Sequence, residues 1–411
     1  MDAALLAAVA QAAAVAPQAS ASLAPVPGRV LGVDGDGLAY YCAGKEETPA
    51  GSAHVLDKIR GAARACGATA VRLYLTGRGS HKGGRYAVAR SKPYQGQRDG
   101  GNRPQNWEFL REFMETYSGD EFTVEIVNDR EADDCFSRDA AVFTDYVIYT
   151  QDKDMRMIPG KHLDWVSHVL YIVDPKDFGV TYNEKLYGGR WFWSQMLHGD
   201  TADNIPGLPF YTDGSVLKTG PKKGQIKEIR CGEASEPVRS LLPIILSHTN
   251  ACVHIRPLYE SCFGERWLVE MLEQGILLWM RKDEKADPFN VCEPGNPLHA
   301  LTQHDLYPIA RAEIEERLKA TYDDKTESDG SCDGTERTAD EAGREVRAVL
   351  APMLGDGSSA GSRPLDGSGA SGPAPGLQQP AGQGGEQPSP VRRAQPVGVP
   401  SWLRHVSAAA R

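Results

Sequence analysis

The runs RVLGV, FTVEIV and DYVIYT each break off into acidic residues, and this pattern limits the fold more than any other feature of the chain. The first stops at Asp34, the second leads into DREADDCF, and the third into TQDKDM. Between them lie segments with apolar residues at helical spacing, such as Val55, Ile59, Ala62, Ala63 and Cys66. AVRLYLTG adds another strand, and a helix is expected from about Asp133 to Phe143. Strands rich in Val, Ile and Tyr that alternate with helices predict an α/β domain with a mainly parallel sheet. In such a sheet ligands bind beyond the carboxyl ends of the strands, where these acids fall.

The remaining organisation follows from composition. With 411 residues the chain has room for about two domains. Residues 1–28 read as a flexible, Ala-rich extension rather than a leader, because Asp2 stands where a basic region belongs. Residues 29–190 form the α/β domain. From about Trp191 the period turns helical, in RWFWSQMLHGDTADN and ERWLVEMLEQGILLWMRK, with no clear strand between them. That region closes near Lys285, and a C-terminal helical segment follows over 286–320. Residues 321–411 turn acidic and then rich in Gly, Ser, Pro and Gln, a composition that predicts disorder. No apolar run of ~20 residues is present, which excludes a membrane-spanning helix. The eight cysteines include no C-x-x-C pair, which suits reduced thiols in a cytoplasmic compartment.

The acids converge. Asp34, Asp152 and Asp154 follow strand ends. Glu131, Asp133 and Asp134 open a helix, where positions 131 and 134 share a face. Asp200 and Asp203 in HGDTADNIPG repeat the three-residue spacing from the helical region. Taken singly, EADD reads as a helix cap, DKD as a solvated turn, and GDTADN as an Asx-turn. Together, eight carboxylates at one sheet edge would repel by several kcal/mol for each pair ~4 Å apart. Acids kept for structure alone would more often pair with arginine, and only Arg130 and Arg156 lie near in sequence. Divalent cations relieve such repulsion, and all-oxygen ligands favour Mg²⁺ or Mn²⁺ over zinc. A pair of such cations suits phosphodiester hydrolysis.

The net charge of −10 hides a basic stretch, GRGSHKGGRYAVARSKPYQGQRDGGNRP. It carries Arg78, Lys82, Arg85, Arg90, Lys92, Arg98 and Arg103, with Tyr86 and Tyr94 among them. Cations neutralise phosphates and aromatic faces accept unstacked bases. Farther on, DNIPGLPFYTDGSVLKTGPKKGQIKEI offers Lys218, Lys222, Lys223 and Lys227 around glycine turns suited to a duplex backbone.

LGVDGDGLAYY, EADD, TQDKDM and GDTADNIPGLP…TGPKKG, in this order, resemble the 5′→3′ exonuclease and flap-endonuclease superfamily, particularly its bacteriophage members. The resemblance covers roughly residues 29 to 285. It implies a PIN-like nuclease domain followed by a helix–three-turn–helix DNA-binding module. It also implies two divalent ions held by Asp34, Glu131, Asp133, Asp134, Asp152, Asp154, Asp200 and Asp203. Residues 78–106 correspond to the family's arch, with Arg85 and Lys92 steering the scissile phosphate. Arg78, Lys82, Tyr86, Arg90, Tyr94, Arg98, Lys218, Lys222 and Lys223 would contact DNA, and a K⁺ ion would sit on backbone carbonyls of the turn module. Two departures stand out: Thr76 replaces an aspartate usual in cellular members, and LPFYTDGSVLK stretches the module. The competing readings are a PIN-type ribonuclease and a catalytically silent DNA-binding replication protein. The closing SWLRHV reads as a docking motif for a replication partner.

Overall fold

The computed structural model describes residues 23–43, 49–98, 103–209, 211–229, 231–232 and 235–328. Most of the expected N-terminal extension, residues 329–411 and the SWLRHV motif lie outside the described residues. Six strands make the main sheet: β1 (Val30–Asp34), β2 (Ala70–Thr76), β3 (Thr123–Val127), β4 (Tyr146–Tyr149), β5 (Gly160–Leu163) and β6 (Leu170–Val173). Their order is β3-β2-β1-β4-β5-β6, and every pairing is parallel except β5 with β6. The expected α/β class with a mainly parallel sheet is therefore present.

The order explains where a site must fall. From β1 the chain moves outward to β2 and β3, then returns to place β4 on the other flank of β1. The connections leaving the carboxyl ends of β1 and β4 diverge, and a crevice opens between them. β1 is buried along its whole length, which accounts for its continuous apolar run up to Asp34. Helices α1 (Gly35–Cys42), α2 (Pro49–Cys66), α3 (Trp107–Glu115) and α4 (Ala132–Val142) cover this half of the sheet.

The second region is built on α5 (Gly189–His198), α6 (His248–Phe263), α7 (Trp267–Leu278) and α8 (Tyr307–Ser328). Every residue of α7 is buried except Glu270, so it acts as the hub of this region. Two sequence expectations need correction here. A β-hairpin, Tyr211–Val216 paired antiparallel with Ile226–Ile229, stands where no strand was expected. Its turn passes through Gly220 and Gly224, both at positive φ, so the glycines read as duplex-binding turns also reverse a strand. In addition, α8 runs to Ser328, past the boundary expected at residue 321.

Within HGDTADNIPG, Gly199 and Gly207 lie backbone against backbone. A Cβ on either would come within 2.3 Å of the other's strand, so only glycine closes this turn. Asp200 and Ile205 exchange both backbone hydrogen bonds across it, at 2.8 and 2.7 Å.

Candidate metal centre and nucleic-acid interface

Asp34 caps α1: its Oδ1 accepts from Gly37 N at 2.7 Å, while Oδ2 accepts from the Thr150 hydroxyl at 2.8 Å. Thr150 immediately follows β4, so this bond joins the two strand ends that flank the crevice. Thr150 also accepts from Asp152 N at 2.9 Å, and Asp152 Oδ1 accepts from Asp154 N at 2.8 Å. The QDKD sequence is thus wound into a tight turn in which Asp152 faces the cleft and Asp154 meets Asp200 and Asp203. Asp154 is held from the helical region by Gln195 Nε2, which also reaches Asp200 Oδ2 at 3.3 Å.

Oxygens of Asp154, Asp200 and Asp203 lie within 4.8 Å of one another. Asp200 receives Lys153 Nζ and accepts from Ala202 N at 2.8 Å. Asp203 Oδ1 accepts from Gln95 Nε2 at 2.9 Å and Arg98 at 2.7 Å, and its Oδ2 from the Tyr94 hydroxyl at 3.2 Å. Tyr94 bridges onward to Glu131 Oε2 at 2.8 Å, and Lys82 stands 3.2 Å from Glu131 Oε1.

A cleft of about 670 Å³ runs along these groups, lined by Asp34, Glu131, Asp133, Asp152 and Asp203 on its acidic side. Lys82, Arg98, Arg103, Arg111 and Arg78 contribute cations to the same space. Acid and base therefore face a common cavity, although they are far apart in sequence.

Electrostatics divide the acids into two sets. Burial, with Asp152 and Asp34 close by, holds the Asp133 carboxyl far above the usual carboxylate range. Asp154 is raised likewise by burial and by Asp152 and Asp200. Burial raises Asp152 as well, and brings Asp34 to about 7 and Asp203 to about 6. Asp200 and Asp134 behave oppositely. Burial opposes ionisation of Asp200, but Lys153 offsets it and the carboxyl falls below its ordinary value. The same competition at Asp134 is won by Arg85.

Asp134 departs from expectation. Arg85 grips both of its oxygens, Nη1 to Oδ2 and Nη2 to Oδ1, each at 2.8 Å. Arg281 N donates to Oδ1 at 2.9 Å and Glu131 N to Oδ2 at 3.3 Å. With 0% exposure, Asp134 has no oxygen facing the cleft, and the ligand role expected of it is corrected to that of an anchor. Arg85 is corrected with it. It is also 0% exposed, and donates to the carbonyls of Lys82, Leu277 and Trp279, so it cannot meet a phosphate in this conformation. The sequence reading allowed Asp134 no arginine partner because Arg85 lies 49 residues away.

The other expected contacts are dispersed. Lys92 and Arg90 are exposed but do not line the cleft, and Arg90 N is held by Glu273 Oε1 at 2.9 Å. Tyr94 is only 4% exposed and serves as an acid-bridging hydroxyl, which corrects the base platform expected of it. Tyr86, 49% exposed, has Lys82 over its ring and Tyr94 edge-on to it. Arg78 pairs with Glu108 at the cleft mouth. Lys218, Lys222 and Lys223 surround the hairpin turn, and all three are exposed.

Thr76, at the position of the missing aspartate, accepts from Ala132 N at 3.0 Å and so helps cap α4. Beside it Asp36 Oδ2 accepts from Thr76 N at 3.1 Å while Oδ1 is bound by Arg111. Sequence reasoning missed Asp36, Arg111, Gln95, Lys153, Thr150 and Gln195. Lys153 and Asp36 lay inside motifs already singled out, whereas nothing local marks Gln195.

No family model matches the chain, and neither does any curated protein. Solved structures do. The bacteriophage T5 D15 protein co-crystallised with metal ions is 14% identical, with 70% of this chain and 99% of that one covered at a TM-score of 0.41. A pseudo-enzyme–product complex of the T5 D15 flap endonuclease with DNA and metal ions gives 14%, 71%, 99% and 0.41. The T5 5′-exonuclease with bound zinc ions gives 15%, 71%, 99% and 0.42.

Proposed function

We propose that this chain is a divalent-metal-dependent nuclease of PIN-like architecture. It would hydrolyse phosphodiester bonds of DNA from 5′ ends or at 5′ flaps, in replication, recombination or degradation. The observation that carries this reading is the group of acids at the switch point of the sheet, Asp34, Asp133 and Asp152, which crowd one another without an ion-pair partner among the described residues and line a cleft that also holds Lys82, Arg98 and Arg111.

The donor set fits two hard cations. Asp34, Asp133 and Asp152 are assigned to one ion, and Asp154, Asp200 and Asp203 to the other. Glu131 stands at the edge of both groups. All are oxygen donors, which suits Mg²⁺, with Mn²⁺ as a substitute. Bound there, such a pair would lower the pKa of an attacking water and neutralise charge on the phosphate.

The chain's own groups do the rest. Lys82 and Arg98 sit beside Glu131 and Asp203 and are placed to draw a phosphate toward the acids. Gln195 and Thr150 orient carboxylates and carry no charge. Lys218, Lys222 and Lys223 are assigned to the duplex backbone away from the cleft, with the turn module as the seat of the K⁺ ion.

The test uses full-length protein with 5′-labelled duplex, flapped and single-stranded DNA, and matched RNA. Short products with Mg²⁺ and none with EDTA are expected on DNA carrying a 5′ end or flap. Cleavage confined to RNA would replace this reading with a PIN-type ribonuclease. Binding without cleavage in either metal would leave a silent DNA-binding protein.

A further inference from the structure

The segment that carries the cleft cations is held from behind by side chains that never enter the cleft. Gly83 and Gly84, at φ +63° and +76°, turn the chain just after Lys82. A Cβ on Gly83 would fall 1.8 Å from the Arg281 guanidinium, and one on Gly84 would fall 2.5 Å from Leu318 of α8. Arg281 Nη1 donates to the Gly83 carbonyl at 2.6 Å. Further along, Glu273 on α7 accepts from Arg90 N at 2.9 Å and Ser91 N at 2.8 Å through one oxygen. Its other oxygen accepts Arg317 Nη1 at 2.6 Å. Arg317, on α8, also donates to the Val88 carbonyl at 2.9 Å and is fixed by Glu313 at 2.6 Å.

Four backbone groups between Gly83 and Ser91 are thus tied to the helical region. The tie sits between Lys82 on one side and Tyr94, Gln95 and Arg98 on the other. Glu273 and Arg317 are 1% and 6% exposed, so the pair is shielded from salt and its charges are costly to separate.

We propose that Glu273 and Arg317 are a positioning pair for the nuclease reaction, with α8 acting as the brace that sets the basic segment in register with the acidic one. The proposal rests on the nuclease reading above. Loss of the pair would leave phosphate attraction in place but misalign Lys82 and Arg98 with respect to the acids. A misplacement of about 1 Å costs turnover more than binding: about 10- to 100-fold in kcat, with KM for DNA within about threefold.

Two variants separate the tie from general stability. Arg317→Met keeps the length and apolar stem of the side chain but strands the Glu273 charge. Adding Glu273→Gln removes that charge while keeping an acceptor for Arg90 N and Ser91 N. The double variant should therefore recover kcat relative to Arg317→Met alone. Both are assayed well below their unfolding temperatures, with amide hydrogen exchange read over residues 83–98 in the absence of DNA. The expected result is faster exchange and reduced kcat in Arg317→Met, with both partly restored in the double variant. Wild-type exchange in Arg317→Met overturns the tie, whether or not the protein cleaves anything. Faster exchange with unchanged kcat overturns its positioning role. A wild-type protein that cleaves nothing would sink the nuclease reading, and exchange would then judge the tie alone.

Discussion

Asp133 and Asp134 are neighbours on one helix, and the protein treats them in opposite ways. Asp134 is sealed beneath two arginine-bearing segments, accepts four hydrogen bonds and is stabilised as the anion. Asp133 sits one residue nearer the crevice among Asp152, Asp34 and Glu131, and its anion is strongly disfavoured. Burial of a carboxylate is therefore uninformative by itself. What separates a structural acid from a candidate ligand is whether the chain supplies the compensating charge. For Asp134 it does, through Arg85, whereas Asp133, Asp34 and Asp152 have no ion-pair partner among the described residues and are left for something outside the chain.

The contrast yields its largest expected effect in cleavage. Asp133→Asn should lower the rate by about 10³-fold or more, with folding intact. Asp152→Ala combined with Asp154→Ala should do the same while DNA binding persists. Equal loss from a surface acid such as Asp174→Asn would erase the distinction.

Asp134→Asn should fail differently. It strands Arg85 in the interior and should cost about 3–5 kcal/mol of stability. Chemical denaturation measures this, and a stable variant that cannot cleave would return Asp134 to the ligand set.

Proton linkage sharpens the comparison further. Asp34 and Asp203 rise from an ordinary 3.8 to about 7 and about 6, so the folded state binds more protons than the unfolded one between these values. Stability of metal-free protein should be highest near pH 4 and decline as the pH rises to about 7. Asp134 and Asp200, whose values are lowered, contribute in the opposite sense, and their share is lost as the pH falls below the ordinary carboxyl range. Mg²⁺ should flatten the first decline because it stabilises the anions. Thermal melts in EDTA and in Mg²⁺ across this range decide it, and identical pH profiles would count against ion binding.

The smallest effects concern the basic wall. Arg98→Ala should weaken DNA binding and lower the salt slope of log K by about 1. Lys92→Ala, at an exposed residue that does not line the cleft, should change stability by less than about 0.5 kcal/mol and leave cleavage near the wild-type rate. A large loss in Lys92→Ala would mean that the segment moves when DNA arrives.

Much of this was legible in the sequence because it depends on local period. Val30 to Val33 and Tyr146 to Tyr149 advertise buried strands, and an acid at the end of each marks the crevice. The gathering of Asp200 and Asp203 with Asp154 required only the assumption that acidic segments meet. What stayed hidden depends on long-range pairing. Nothing near EADD announces that Arg85 will seal Asp134, that Gln195 will hold Asp154, or that Glu273 will anchor Arg90 and Ser91. The hairpin at Tyr211–Val216 was hidden for another reason, since its lysine-rich turn is equally well read as a phosphate-binding loop.

The central claim is that the acids crowded at the switch point exist to hold cations, and crystals of the protein soaked in Mn²⁺ test it most directly. Anomalous density is expected within bonding distance of Asp133 and Asp152, and near Asp154 and Asp203, with none at Asp134. Density at surface carboxylates alone, with the cleft acids left bare and protonated, would contradict the account.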